Sequence, residues 1–213
     1  MVHHMHIPDG YLDLRICALF YVLSGAFILV AINRVRLRDE IIPLYTSLAA
    51  IIFAAQMLDW PVPGGTTAHF TGGALAGIIL GPWGGILVMT IVLVIQALVF
   101  GDGGILSLGA NIWNMGIVAP LVGYTVYSSL RRYGYIGSVM GAFIGGWLSS
   151  LIASFFAGLQ LGLSTIFLYP ITVTIPAMML YHLGFGLIDG VVCGGVVAYM
   201  VKFKHSTLAL NSR

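Results

Sequence analysis

Leu14-Arg15-Ile16-Cys17-Ala18-Leu19-Phe20-Tyr21-Val22-Leu23-Ser24-Gly25-Ala26-Phe27-Ile28-Leu29-Val30-Ala31-Ile32, with Asn33-Arg34-Val35-Arg36-Leu37-Arg38 directly behind it, decides the fold. An apolar run of this length, wound as a helix, crosses the hydrocarbon core of a bilayer. The arginines behind it mark the side on which the span stops. Further apolar stretches cover residues 42–58, 69–80 (short), 84–100, 108–130, 135–157 and 173–201. The third and fourth are divided by Gly81-Pro82-Trp83-Gly84-Gly85, a helix-breaking turn. The expected fold is all-α: a polytopic membrane protein with about seven transmembrane helices in one bundle.

Composition agrees. Of 213 residues, 59% are hydrophobic and only 8% charged, against about 25% charged in a soluble domain. Seven spans put Arg34, Arg36, Arg38, Arg131, Arg132, Lys202, Lys204 and Arg213 on one side, with Arg15 alone opposite. That assigns the basic side to the cytoplasm, the N-terminus to the exterior and the C-terminus to the cytoplasm. The organisation expected is a single transmembrane domain over 1–213. Residues 1–13 form an external segment, 14–202 the bundle, and 203–213 a cytoplasmic tail.

Several function classes drop out. Net charge is +2 with no basic run, so nothing suggests nucleic acid. Cys17 and Cys193 lie in apolar stretches and read as buried inert thiols. There is no P-loop lysine motif, no His-Glu-x-x-His pair for an intramembrane metalloenzyme, and no relay of intramembrane charges. Small-residue stripes run along Gly137/Gly141/Gly145/Ser149/Ala153, Gly73/Gly77/Gly81 and Gly186/Gly190/Gly194. They let helix backbones approach closely, either within the bundle or against a separate membrane subunit.

The chemistry rests on few residues. His3, His4 and His6 cluster at the N-terminus, and His69 lies in the glycine-rich run Gly64-Gly65-Thr66-Thr67-Ala68-His69 on the same face. If Met5 is the first residue, its amine, the His6 amide and a His6 ring nitrogen form fused chelate rings. His69 then supplies a fourth nitrogen. Four nitrogens in a plane suit Ni(II) or Cu(II) better than Zn(II). Two other readings stay open: an accidental polar tail, and a self-sufficient chelate formed by Met1, Val2 and His3. Gln56, Gln96, Asn111, Asn114, His182 and Asp189 are polar groups inside spans, pocket or supporting candidates by default. His182 and Asp189, two turns apart, read equally well as a mutually satisfied pair.

Met5-His6-Ile7-Pro8-Asp9-Gly10-Tyr11-Leu12 resembles the N-terminal signature of the CbiM/NikM family, substrate-binding membrane subunits of energy-coupling-factor transporters for cobalt and nickel. Phe53-Ala54-Ala55-Gln56-Met57, Gly64 to His69, Gly101-Asp102-Gly103-Gly104, Leu108 to Met115 and His182 to Asp189 are similar to its internal motifs. The resemblance implies metal ligation by Met5, His6 and His69, with Gln56, Thr66, Thr67, Gln96, Asn111, Asn114, His182 and Asp189 around them. It implies Ni(II) as transported substrate, Co(II) second, and no organic cofactor. Implied partners are a transmembrane coupling subunit, cytoplasmic ATPase subunits and a small accessory membrane subunit, in a prokaryotic inner (plasma) membrane. A channel or secondary carrier working without ATP is the alternative. Two departures stand out. Met1-Val2-His3-His4 precede the family's first methionine, and Asp189 stands where the family has Glu.

Overall fold

The computed structural model describes residues 5–36, 38–62 and 66–203. Met1, Val2, His3, His4, Lys204, His205 and Arg213 lie outside them. The helices are α1 (Leu14–Arg34), α2 (Ile42–Gln56), α3 (Gly73–Ile95), α4 (Leu108–Asn111), α5 (Ala119–Leu130), α6 (Gly134–Leu163) and α7 (Ile171–Lys202). Two π-helical segments, Gln96–Phe100 and Ile112–Val118, extend α3 and join α4 to α5. Among the described residues, four continuous stretches are long and apolar enough to cross a membrane: Leu14–Arg34, Gly73–Phe100, Leu108–Leu163 and Ile171–Lys202. Helix α2 is apolar but shorter, at 15 residues.

Two of those stretches double back. Gly81 has φ 78° and ψ 165°, outside helical space. Pro82 comes next and lacks the N–H needed to continue the hydrogen-bond ladder. The reversal is tight enough that a Cβ built on Gly85 would stand 2.7 Å from the nitrogen of Gly77. Residues eight apart in a straight helix are separated by about 12 Å. The other reversal is the 3-10 turn Arg131–Tyr133, which folds α6 back on α5 so that Gly145 meets the carbonyl of Gly123.

The small-residue stripes are used inside the bundle. Gly137 and Gly141 face Leu130 and Tyr127 of α5, Gly73 and Gly77 face Met115 and Pro120, and Gly186 and Gly190 face Trp147 and Phe143 of α6. With no water to drive association in lipid, such close backbone approach supplies the dispersion contacts that hold helices together. Around these seams sits a core of Ile52, Ile78, Ile86, Met89, Leu93 and Ile117, all fully buried.

One expectation needs correction. His69 does not begin a third span. It ends β2 (Thr66–His69), which pairs antiparallel with β1 (Asp59–Val62) in the register Asp59↔His69. Helix α3 starts only at Gly73, behind Gly72 in the left-handed conformation (φ 74°). Val62, Thr66 and Thr67 are β-branched and favour a strand, a preference the glycines around them obscure in the sequence.

Gly85→Val should destabilise the hairpin at Gly81, because the new side chain meets the backbone of Gly77. A loss of about 1–3 kcal/mol is expected for overpacking of this kind, measured as lowered thermal stability of the detergent-purified protein.

Candidate metal site

The N-terminal strap, residues 5–13, is tied down residue by residue. Asp9 accepts from the backbone N–H groups of Ile105 (3.0 Å), Leu106 (2.8 Å) and Ser107 (3.2 Å). Asn111 grips Ile7 from both sides, its Oδ1 accepting from the Ile7 N–H and its Nδ2 donating to the Ile7 carbonyl, each at 3.1 Å. The Gly104 N–H and the Ser107 hydroxyl also donate to that carbonyl. Asp13 caps α1 through the N–H groups of Arg15 and Ile16, and accepts from the N–H and hydroxyl of Thr165 on the α6–α7 loop. The Thr165 N–H foremost, with these other donors, holds the Asp13 carboxyl below its ordinary range.

So placed, His6 is buried beside His69, ring centroids 5.2 Å apart and planes at 72°. Gly103 (φ 85°) is required here, since a Cβ on it would come within 2.9 Å of the His6 Cβ. Asp102, between glycines, accepts from the Met5 nitrogen at 2.8 Å and lies 3.5 Å from His6 Nε2. It is a site residue that the reading of spans and histidines did not single out. Its signal in the sequence was the Gly101-Asp102-Gly103-Gly104 turn, which resembles a family motif but was given no role at the metal.

The His6 tautomer is fixed by a relay with one possible direction. The Thr71 carbonyl can only accept, so Gln56 donates to it through Nε2 (2.7 Å). That turns Gln56 Oε1 toward Gln96, which donates to it at 2.9 Å. Gln96 Oε1 is then the acceptor facing His6 Nε2, also at 2.9 Å. His6 therefore carries its proton on Nε2. Its Nδ1 is buried without a hydrogen-bond partner among the described residues. His69 is set the opposite way: its Nδ1 donates to the Phe70 carbonyl at 3.0 Å, leaving the ring lone pair on Nε2. Burial foremost lowers the pKa of both rings. His69, with His6 as neighbour, is pushed down to about 4. Both are neutral imidazoles near pH 7, the form that binds a metal.

Thr71 is the second hub. Its N–H (3.0 Å) and hydroxyl (2.7 Å) both donate to Asp189 Oδ1. Asp189 therefore anchors the segment behind His69 and does not pair with His182. The seven-residue spacing put the two on one helix face, but a carboxylate buried inside the bundle takes the nearest donors, which lie on another element. His182 donates from Nδ1 to the Met178 carbonyl at 2.8 Å. Asn114 forms a reciprocal amide pair with Gln160 of α6 (2.8 and 3.0 Å), a clasp between helices that spends both its amide groups away from His6 and His69. His182, Asn114, Met178, Met115 and Thr71 share with Met5, His6 and His69 the lining of a cavity of about 80 Å³. Thr66 and Thr67 lie in β2, their side chains outside the described part of the chain, and the alternative ligands Met1, Val2 and His3 precede the described residues.

A bundle of apolar helices, with an N-terminal strap that lays one imidazole beside another of opposite tautomer, defines a polytopic membrane protein. Residues 6–207 match the family model for the cobalt uptake substrate-specific transmembrane region, CbiM. The chain belongs to that family. It is 53% identical over 204 residues to a putative fused nickel transport protein NikMN of Archaeoglobus fulgidus, covering 96% of this chain and 68% of that one. It is 46% identical over 202 residues to a putative metal transport protein of Haloquadratum walsbyi, covering 94% and 91%. A crystal structure of a truncated transition metal transporter superposes with TM-score 0.87 at 37% identity, covering 93% of this chain and 99% of that one.

Thr71→Val leaves the Asp189 carboxylate short of a donor and should cost about 1–3 kcal/mol of stability, read by thermal unfolding. Asp13, with its folded pKa lowered, contributes stability that is present above its ordinary value and lost as pH falls through the lowered one. Acid titration should release the strap in that window, and Asp13→Asn should abolish the transition, both monitored by limited proteolysis of the N-terminus.

Proposed function

We propose that this chain is the substrate-specific subunit of an energy-coupling-factor importer and captures Ni(II), with Co(II) as second choice. The observation that carries the reading is the buried pair of imidazoles, ring centroids 5.2 Å apart, with the lone pair of His6 on Nδ1 and that of His69 on Nε2. Only Nδ1 can close a six-membered ring with the same residue's own amide nitrogen, so the relay-selected tautomer is the chelating one. The ligand set is then the Met5 amine, the His6 amide, His6 Nδ1 and His69 Nε2. This requires Met5 to be the first residue of the working protein. Asp102, already on the Met5 nitrogen, offsets the charge of an amine there. Four nitrogens in a plane favour Ni(II). The nickel named in the fused transport relative and the cobalt named in the family description support these two cations.

The single domain is read as an external strap over 1–13, a bundle over 14–202 and a cytoplasmic tail over 203–213. The reversals at Gly81 and Arg131–Tyr133, together with α2, support seven crossings, with the strap external and the tail cytoplasmic in a prokaryotic inner membrane. A transmembrane coupling subunit, cytoplasmic ATPase subunits and a small accessory membrane subunit complete the importer. ATP hydrolysis by those partners reorients this chain to release the ion.

Capture weakens in acid because the amine and amide must lose protons. His69→Ala should reduce Ni(II) affinity of the purified protein by at least about a hundredfold, as removing a ligand should cost no less than perturbing its support. Unchanged affinity by calorimetric titration would refute the ligand set. Intact mass of the same sample should show Met5 as the first residue. Sustained nickel accumulation in liposomes lacking the ATPase would favour a channel or secondary carrier instead.

A further inference from the structure

Away from the residues that line the metal-site cavity, two further cavities lie along one seam between α2 and the second half of α3. The first, about 210 Å³, is lined by Arg34, Arg36, Tyr45 and the turn Gly81–Gly84. The second, about 370 Å³, is lined almost wholly by apolar groups, among them Ala49, Ala50, Phe53, Ile91, Ile95 and Phe100. Tyr45 and Ala49 are one turn apart on α2, and Gly84, Ile91 and Ile95 fall on one face of α3. The two helices run in the same direction: Tyr45 meets Gly84 at one end, and Phe53 meets Phe100 at the other with ring centroids 4.9 Å apart. The two cavities therefore lie in line, the cationic one at the head of the seam and the apolar one along the next turns of the same two helices, about 12 Å from Tyr45 to Phe53.

The head is built to hold an anion. Arg34 and Arg36 are exposed and make no salt bridge among the described residues. The neighbouring acids Asp39 and Glu40 do not line the cavity. A Cβ on Gly84 would strike the Tyr45 hydroxyl, so glycine there seats that hydroxyl in the groove. Helix α3 restarts at Pro82, which directs the positive end of its second half to the same place. The tail is built for hydrocarbon: Ile91, Ile95 and Phe100 are 53%, 41% and 56% exposed along the groove.

We propose that this seam binds an anionic phospholipid, the phosphate at Arg34, Arg36 and Tyr45 and one acyl chain along Ala49, Ala50, Ile91 and Ile95. Free phosphate has no use for the apolar groove, and a zwitterionic lipid gains less from two guanidinium groups. The lipid seam is independent of the metal site.

The test is native mass spectrometry of the full chain released from detergent, after incubation with phosphatidylglycerol or phosphatidylcholine. Wild type should retain one phosphatidylglycerol in preference to phosphatidylcholine. Each basic side chain near an anionic headgroup contributes roughly a fivefold preference, so R34Q/R36Q should lower retention about thirtyfold. A50W, which fills the groove and leaves the arginines in place, should lower retention of both lipids. Helicity by circular dichroism identifies any variant that fails to fold, and R34K/R36K, which keeps the charge, should keep most of the binding. Equal retention of the two lipids, unchanged retention in R34Q/R36Q, or inorganic phosphate displacing the lipid from an A50W-insensitive site would each overturn the proposal. So would a variant that keeps its lipid but loses a partner membrane subunit.

Discussion

The hydrogen bond from Gln56 to the carbonyl of Thr71 sets the direction of everything at the polar end of the bundle. A carbonyl cannot donate, so each amide behind it has one orientation left, and the chain of choices ends on a histidine with a defined tautomer. Thr71 is held from its other side by Asp189, which belongs to the last helix. One threonine thus joins α2, α7 and the segment carrying His69. Through the two glutamines it also reaches the π-helical turn at Gln96 and the N-terminal strap. Buried amide networks of this kind hold their geometry because any broken member leaves an unpaired group in a low-dielectric interior.

The helices serve this arrangement by coming close together. Glycine carbonyl and backbone contacts between α3, α5, α6 and α7 make a rigid frame, and the π-helical turns occur where Gln96 and Asn114 enter the polar region. An extra residue in a turn rotates the downstream part of the helix, which is one reason such turns gather at functional sites. The strap over the frame is fixed by side chain to backbone bonds from Asp9, Asn111 and Asp13, so the position of His6 does not depend on the flexibility common to chain termini.

Much of this was legible in the sequence. Hydropathy placed α1, the π-linked helix through Asn114 and α7 within a few residues, and Gly81-Pro82 marked a break that the backbone does make. Gln56 and Gln96 were singled out as polar groups inside apolar runs, and His6 and His69 as nitrogen ligands brought to one face. The hidden part depends on contacts between distant elements. Asp102 and Thr71 are ordinary loop residues until the fold brings Met5 to one and Asp189 to the other. Gln160 lies just past the predicted end of the sixth apolar stretch, so nothing flagged it as the partner of Asn114. The strand at His69 was masked by its glycines, and the spacing of His182 and Asp189 suggested a pair that the fold does not form.

The glutamine relay leaves the lone pair of His6 on Nδ1, beside a His69 whose lone pair is on Nε2, and metal capture as proposed stands or falls on the two meeting at one ion. X-ray absorption at the nickel edge of the metal-loaded protein tests it most directly. A planar first shell of four nitrogens at about 2 Å or slightly less, with two imidazole rings in the outer-shell scattering, is expected. An octahedral shell rich in oxygen, or a shell with a single imidazole, would contradict it.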